Sequence, residues 1–346
     1  MRILPLSLYE FFSQLLHSPT LTVTVLLILS VLLVNGWTDA PNAIACAVVT
    51  GSLSFRTGVL LAAVCNLLGV LWSCLCAPAV SYTIYSLVQF SGSPQDTLYA
   101  LCAAMGAIVL WAAAAWWFGI PTSESHALVA ALSGSAAALE NTFSCIRWES
   151  WSKVLLGLLL SVGLGFLIGC FCSCLLRPLP LHDRLCKSLQ IPGAALSAFL
   201  HGAQDGQKFL GIFLLGCALS AGRQDEHTFP IPVWLMILCA VFMALGTGLG
   251  GRRIIDKVGR EMVTLSPKDG VACDLASGVC LFLSTLSGIP VSTTHTRTAS
   301  LLGVGRAGTG SCNFRVVRTV LAAWLLTFPC CFLLGGALCR LTLLRM

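Results

Sequence analysis

The sequence has few charged residues. Only 10% of its 346 residues are Asp, Glu, Lys or Arg, and 57% are hydrophobic, whereas a soluble domain carries charge on about a quarter of its residues. Uncharged runs such as residues 59–80 and 154–176 reach the roughly 20 residues that a membrane-spanning helix needs. The scarcity of charge therefore excludes soluble enzymes and nucleic-acid-binding proteins and predicts a multi-pass protein of the cell membrane.

The sequence also lacks the pattern of a zinc site or a cleaved leader. Most of its 18 cysteines lie in apolar runs, where a free cysteine packs as a small hydrophobic residue. No C-x-x-C pair is accompanied by a histidine pair. The first apolar run continues into Asn35, Gly36 and Asp39 without a small-residue cleavage site, so we expect it to persist as the first span.

Two polar motifs each occur twice, in the same order. Residues 35–39 (NGWTD) correspond to residues 201–205 (HGAQD), and residues 119–126 (GIPTSESH) correspond to residues 288–295 (GIPVSTTH). Such duplication is typical of secondary transporters built from inverted repeats. We predict an all-α membrane protein, a helical bundle of two inverted repeats, each with a broken helix and a re-entrant helical hairpin. The first repeat would cover residues 1–176, a cytoplasmic linker residues 177–192, and the second repeat residues 193–346.

The basic residues give a modest test of this topology, because cytoplasmic loops are rich in Lys and Arg. With the amino terminus outside and both hairpins returning to their own side, twelve of the 20 basic residues lie inside and six outside, while Lys208 and Arg297 lie within the motifs. If the arm at residues 97–118 crossed the membrane instead, the repeats would be parallel, with eleven inside and seven outside. The inverted arrangement is slightly favoured.

Two carboxylates, Asp39 and Asp205, fall inside apolar segments at equivalent positions of the repeats. An ionised carboxylate at membrane depth costs several kcal/mol unless it is paired or faces a water-filled cavity. Asn35, Asn42, Gln204 and Lys208 stand near them, so a site is indicated, although a hydrogen-bonded network that only packs the helices would have the same composition.

The two Gly-Ile-Pro joints predict turns that start a helix, because proline fits the first turn and Ser or Thr can cap the free N–H groups. A helix start at membrane depth can bind an anion. Hydroxyl donors would come from Ser123, Ser125, Ser292, Thr293 and Thr294. Two such tips meeting beside the two aspartates would form a pocket with donors for an oxyanion and carboxylates for a cation or proton.

These motifs resemble those of the inorganic phosphate transporter (PiT) family, bacterial type. Residues 35–45 resemble its N-G-x-x-D-A-x-N-A-I-A signature, residues 201–208 its H-G-A-N-D-x-Q-K repeat, and residues 288–295 its G-[IL]-P-V-S-T-T-H motif. The resemblance extends over about residues 21–339. It implies a symporter that imports inorganic phosphate by alternating access around a midplane site, driven by a sodium or proton gradient and without another cofactor.

The resemblance also implies roles for single residues. Asp39, Asn42 and Asp205 would bind the coupling cation, with sodium as the implied metal, and the two aspartates would help to hold phosphate. The Ser and Thr side chains of the tips would cradle the phosphate oxygens. Gln204 stands at a cation-ligand position where the family usually has Asn, which lengthens that ligand by one methylene.

Glu124 is the second departure, since it occupies the position of Thr293 in the other hairpin. An ionised Glu124 would repel phosphate, so it is either protonated or paired with a cation, Lys208 or Arg297. We hypothesise that Glu124, as part of the substrate site, couples transport to protons. The alternative is a carboxylate that turns away and only stabilises the helix start.

Three other functions are weighed against phosphate import. Sulfate is similar in shape, but it only accepts hydrogen bonds, whereas the O–H groups of phosphate can donate to carboxylates. An anion channel would not need buried carboxylates, and a hydrolase would need one nucleophile rather than a duplicated set and lacks G-x-S-x-G here. A homo-oligomer and a cytoplasmic regulatory protein stay open as partners.

Overall fold

The computed structural model describes residues 7–222, 231–249, 251–308 and 312–344. Within these ranges the chain forms α-helices, two isolated β-bridges and no strand. The helices are α1 (Leu8–His17), α2 (Pro19–Thr38), α3 (Pro41–Val49), α4 (Phe55–Cys76), α5 (Ala79–Tyr85), α6 (Pro94–Trp117), α7 (Glu124–Glu140), α8 (Trp148–Leu176), α9 (Asp183–Ser220), α10 (Val233–Leu249), α11 (Arg252–Asp256), α12 (Pro267–Leu286), α13 (Thr293–Ala307) and α14 (Phe314–Leu344). The helix α11 continues as a π-helical turn over Lys257–Met262. The predicted all-α bundle is confirmed.

Several helices are long and apolar enough to cross a membrane. Six such spans are found among the described residues: Pro19–Val49, Phe55–Cys76, Pro94–Trp117, Trp148–Leu176, Pro267–Leu286 and Phe314–Leu344. The number is seven if the bent pair of α10 with Arg252–Met262 is counted as one span. The protein is therefore a multi-pass membrane protein, as predicted. The helix α9 is not among these spans because its centre carries the polar residues of the 201–208 motif.

Contacts between loops define the two ends of the bundle. At the first, Gln190 accepts from Thr50 and Ser52 and donates to the carbonyl of Pro267, and Lys268 donates to the carbonyl of Leu179. We call this the basic end, because residues 177–190 and 251–270 lead to it. Residues 86–91, 140–147 and Arg340 meet at the opposite end. Arg2, Arg223 and Arg345, which are predicted from the sequence to be on the same side as Arg147 and Arg340, lie outside the described residues.

Two helical hairpins enter the bundle from these two ends. The tip of each contains a glycine with positive φ, 65° at Gly119 and 66° at Gly288, a backbone conformation that residues with a Cβ rarely adopt. Both the N–H and the hydroxyl of Ser91 donate to Glu140, so the first hairpin begins and ends at the opposite end. The second arm of each hairpin packs against a helix of the other half of the chain: α7 packs on α14, and α13 packs on α8. The inverted relation of the repeats stays a prediction.

The structure differs from the sequence-based expectation in the second half. In the first half the helix is broken at the 35–39 motif, where α2 ends at Thr38 and α3 begins at Pro41. The equivalent segment lies within the single 38-residue helix α9. Gln207 of α9 stands where Pro41 would recur, so α9 keeps at that position the backbone N–H that proline lacks, although α9 and α14 also run unbroken through Pro192 and Pro329. Residues 183–192 of the predicted linker also belong to α9.

Candidate functional site

Asp39 lies at the break between α2 and α3. Its backbone N–H closes α2 on the carbonyl of Asn35 at 2.9 Å, and its side chain is 2% exposed. Asn42 Nδ2 donates to Asp39 Oδ1 at 3.1 Å, and the hydroxyl of Thr294 donates to the same oxygen. Asp39 therefore receives neutral donors from its own segment and from the tip of the second hairpin.

Asp205 lies in the middle of α9 and is 1% exposed. Lys208 Nζ donates to Asp205 Oδ1 at 2.5 Å, and Asn35 Nδ2 donates to Oδ2 at 3.2 Å. His201 Nε2 lies 3.4 Å from the same Oδ2. Asp205 thus has a charged partner, which Asp39 lacks.

Thr293 joins the two aspartates. Its hydroxyl oxygen lies 3.4 Å from Asp39 Oδ2 and 3.2 Å from Asp205 Oδ2, and its single proton can serve only one at a time. The ligand atoms of Asp39, His201 and Asp205 lie within 4.8 Å of one another. The predicted pair of carboxylates therefore forms a single buried cluster with the second hairpin.

The two hairpin tips start helices as predicted. Ser123 and Ser292 are the N-caps of α7 and α13, and their hydroxyl oxygens accept from the N–H groups of His126 at 3.3 Å and His295 at 3.1 Å. Ser125 accepts from Lys208 at 2.7 Å. The two histidine rings lie 4.4 Å apart, between their centroids. The starts of α7 and α13 therefore meet beside the aspartates.

Glu124 lies in the same cluster and is 1% exposed. Thr38 donates to Glu124 Oε1, and Oε2 has no hydrogen-bond partner. Lys208 pairs with Asp205, and Arg297 pairs with Asp274. Of the two arrangements considered for Glu124, the ion pair with Lys208 or Arg297 is therefore not found among the described residues, because both cations pair with other carboxylates.

Gln204 faces the second hairpin. Its Nε2 donates to the hydroxyl of Thr285 at 3.0 Å and to the carbonyl of Ile289 at 3.4 Å. Its Oε1 has no partner, and the same is true of Asn35 Oδ1 and Asn42 Oδ1. Since buried oxygens are normally satisfied, these acceptors fit a bound cation or a protonated ligand.

A chain of polar side chains that was not predicted from the sequence supports Asp205. Asn66 of α4 donates to the hydroxyl of Thr247 at 3.1 Å, and its Oδ1 lies 3.0 Å from His201 Nδ1. This contact orients the imidazole, whose other nitrogen faces Asp205. The available signal was Asn66 itself, an amide in the middle of the uncharged run 59–80, and the structure shows it fully buried.

The fixed charges of the site do not balance. Three carboxylates, those of Asp39, Glu124 and Asp205, lie together with a single ammonium group, that of Lys208. Buried charges of one sign are costly unless counter-ions or protons accompany them. The cluster is therefore suited to bind cations or protons together with an anion.

Comparison with known proteins identifies the family. The model of the phosphate transporter family matches residues 35–335. The chain belongs to the phosphate transporter family. This confirms the resemblance found in the motifs and the expectation of a transporter rather than an enzyme.

Two bacterial relatives of this family member are similar over nearly their whole length. A Bacillus subtilis protein named as a probable low-affinity inorganic phosphate transporter is 32% identical over 328 residues, which cover 90% of this chain and 96% of that protein. A Rhizobium meliloti protein with the same name is 35% identical over 314 residues, or 88% and 91% of the two chains.

A solved structure has the same fold as this family member. It is named the sodium-dependent phosphate transporter, and it matches with a TM-score of 0.84, covering 95% of this chain and 100% of its own at 20% identity. The match confirms the helical membrane fold.

Proposed function

We propose that this protein imports inorganic phosphate across the plasma membrane as a symporter, with sodium or protons as the coupling ion. Membership of the phosphate transporter family supports the substrate. The observation that carries the proposal is the single buried cluster in which two helix starts, three carboxylates and one lysine meet. Such a cluster offers donors to an oxyanion and acceptors to a cation at the same depth.

Phosphate would bind at the starts of α7 and α13. Backbone N–H groups and the helix dipole favour an anion there, and Ser123, Ser125, Ser292, Thr293 and Thr294 bring hydroxyl groups to the same place. The O–H groups of phosphate would donate to Asp39, Asp205 or Glu124, which an acceptor-only sulfate cannot do.

The coupling cation would bind on the carboxylate side of the cluster. Asp39 and Asp205 provide charge, and Asn42 Oδ1 and Gln204 Oε1 are neutral oxygens without partners. Hard cations prefer such oxygen ligands, and sodium fits this donor set. A proton on Glu124 would serve the same charge balance, because it removes one negative charge before phosphate arrives.

Transport by alternating access is the mechanism that this arrangement supports. Asp39, Glu124 and Asp205 are at most 2% exposed, so a substrate at the cluster is closed off from both sides. Release requires movement of the helices around the site, and the two hairpins enter from opposite ends of the bundle. Their rocking would open the site to one side at a time.

Reconstitution tests the proposal. Purified protein in liposomes should accumulate radiolabelled phosphate against its gradient when a sodium or a proton gradient is imposed, and should not do so when neither is present. Excess unlabelled phosphate should block the uptake. Block by sulfate but not by phosphate would instead indicate a sulfate permease, and equilibration without accumulation under every gradient would indicate a channel.

A further inference from the structure

A second buried cation lies beside the site and is not used by the proposed mechanism. Arg297 is on α13, one turn after Thr293, and is 4% exposed. Its guanidinium pairs with Asp274 of α12. Arg297 Nε and Asp274 Oδ2 have no hydrogen-bond partner. A buried ion pair of this kind costs desolvation energy, so a role in function would explain its presence better than stability does.

The remaining contacts of the Arg297 guanidinium are made with uncharged groups of three helices. Its Nη1 donates to the hydroxyls of Ser197 at 2.9 Å and Ser277 at 2.8 Å, and its Nη2 lies 3.3 Å from the carbonyl oxygen of Ala43. All are neutral acceptors. A phosphate oxygen would replace them favourably, because hydrogen bonds from guanidinium to phosphate are charge-assisted and can be bidentate.

A narrow cavity connects Arg297 with the carboxylate cluster. Asp39, Asn42, His201 and Thr293 line one part of it, and Ser197, Ser277 and Arg297 line another. It has room for about one water molecule, so this state is closed to phosphate. Ala43 follows Asp39 along α3 and Ser197 precedes Asp205 along α9, so the cavity runs from the cluster toward the basic end.

Lys208 cannot take the place of Arg297 in this role. An ammonium group has three protons, and those of Lys208 are directed to Asp205, Ser125 and the carbonyl of Val291 at 2.5, 2.7 and 2.6 Å. Lys208 therefore has no donor left for an anion that leaves the cluster, whereas Arg297 keeps a free Nε–H.

We propose that Arg297 forms a second phosphate subsite, between the carboxylate cluster and the basic end, and that Asp274 competes with phosphate for its guanidinium. Phosphate that moves toward the basic end displaces the serine hydroxyls and the Asp274 carboxylate from the Arg297 guanidinium. The Asp274 carboxylate then pairs with the guanidinium again and expels the phosphate. Without Asp274 the arginine would hold phosphate too tightly for rapid release. This inference rests on the proposed phosphate transport and extends it.

Substitutions of Arg297 and of Asp274 should change the affinity for phosphate in opposite directions. Vesicles of one orientation are isolated through a carboxyl-terminal tag, and phosphate is added either at the basic end or at the opposite end. At the basic end, Arg297→Lys should raise the half-saturating phosphate concentration about tenfold, the loss expected for a bidentate charged contact. Asp274→Asn should lower it and slow net transport toward that end.

The controls separate this subsite from a structural tie. Arg306→Lys, a substitution of an exposed residue on the same helix, should leave the half-saturating phosphate concentration unchanged at both ends. Every variant should elute as a single species on gel filtration. The subsite would be overturned if Arg297→Lys and Asp274→Asn changed the half-saturating phosphate concentration in the same direction, or if they changed it equally at both ends. If Arg297→Lys fails to fold, a rise in the half-saturating phosphate concentration at the basic end in Asp274→Asn would also overturn the subsite. Absence of phosphate transport by the unmodified protein would instead overturn the proposed function.

Discussion

At the scale of single residues, the two aspartates are equivalent in sequence but not in electrostatics. The residue three positions after each one donates to it: Asn42 to Asp39 at 3.1 Å and Lys208 to Asp205 at 2.5 Å. Only Asp205 gains a positive charge in this way. Under the proposed symport, Asp39 is therefore the carboxylate that the coupling cation would balance, since a buried unpaired carboxylate is strongly destabilising.

Replacement of either aspartate should abolish accumulation of phosphate. Asp39→Asn removes the charge that attracts the coupling cation, and Asp205→Asn leaves Lys208 buried without its counter-ion. The measurement is gradient-driven uptake in liposomes. Glu149→Gln is the matched control, because that side chain is 88% exposed and its ion pair with Lys153 is a surface pair at 3.8 Å. Full accumulation by both aspartate variants would refute the site assignment.

Glu124 should determine how uptake depends on pH. Its Oε2 has no partner at a position where the other hairpin has the neutral Thr293, so a proton there would turn a repelling group into a donor for phosphate. Glu124→Gln, which mimics the protonated form, should transport with a flattened pH profile. Glu140→Gln, at the far end of the same helix, should keep the original profile. An unchanged profile in Glu124→Gln would remove the proton-coupling role.

At the scale of helices, the two halves support each other's sites. A Cβ at Gly36 of α2 would lie 2.1 Å from the carbonyl oxygen of Met243 on α10, and one at Gly202 of α9 would lie 2.2 Å from that of Asn66 on α4. The site helix of each half thus crosses a span of the other half at backbone contact, as small residues permit in membranes. This crossing holds Asp39 and Asp205 at a fixed separation.

Gly36→Ala should therefore destabilise the protein and impair uptake. The added methyl group forces α2 away from α10, and overpacking of this kind costs about 1–3 kcal/mol. We expect a lower Tm in thermal unfolding followed by gel filtration. Gly163→Ala is the control, because nothing lies within 4 Å of its Cβ position and alanine favours a helix. An equal or higher Tm for Gly36→Ala would show that the crossing tolerates separation.

The sequence was sufficient to predict the elements that carry function, because each has a local signal. The broken helix was expected from the polar 35–39 motif inside an apolar segment, and the two tips were expected from Gly-Ile-Pro and a capping Ser. The same type of motif at residues 201–205 led to the expectation of a second break, which the unbroken helix α9 does not contain. The pairs Arg297–Asp274 and Asn66–Thr247 could not be predicted from the sequence, because they depend on how separate helices pack.

At the scale of the whole molecule, the loops divide between two ends in a way that the predicted inverted topology requires. The 177–190 segment contacts residues 50–52 and 267–268 at the basic end, whereas residues 140–147 contact residues 87–91 and Arg340 at the opposite end. The basic end carries the two large basic connections. The positive-inside rule favours a cytoplasmic position for this end, and under the proposed import Arg297 and Asp274 would then lie between the carboxylate cluster and the cytoplasm.

Reporter fusions should show this orientation. Alkaline phosphatase, which is active only outside, should be active when fused after Ser144 and inactive when fused after Leu181, and a fluorescent protein that matures only in the cytoplasm should give the reverse result. The reason is that α8 alone separates these positions and leads from the opposite end to the basic end. A fusion after Ser91 serves as the control for the first hairpin, since Ser91 contacts Glu140 and should match the fusion after Ser144. Opposite results at Ser91 and Ser144 would mean that only one arm of the hairpin crosses the membrane, and the repeats would then be parallel rather than inverted.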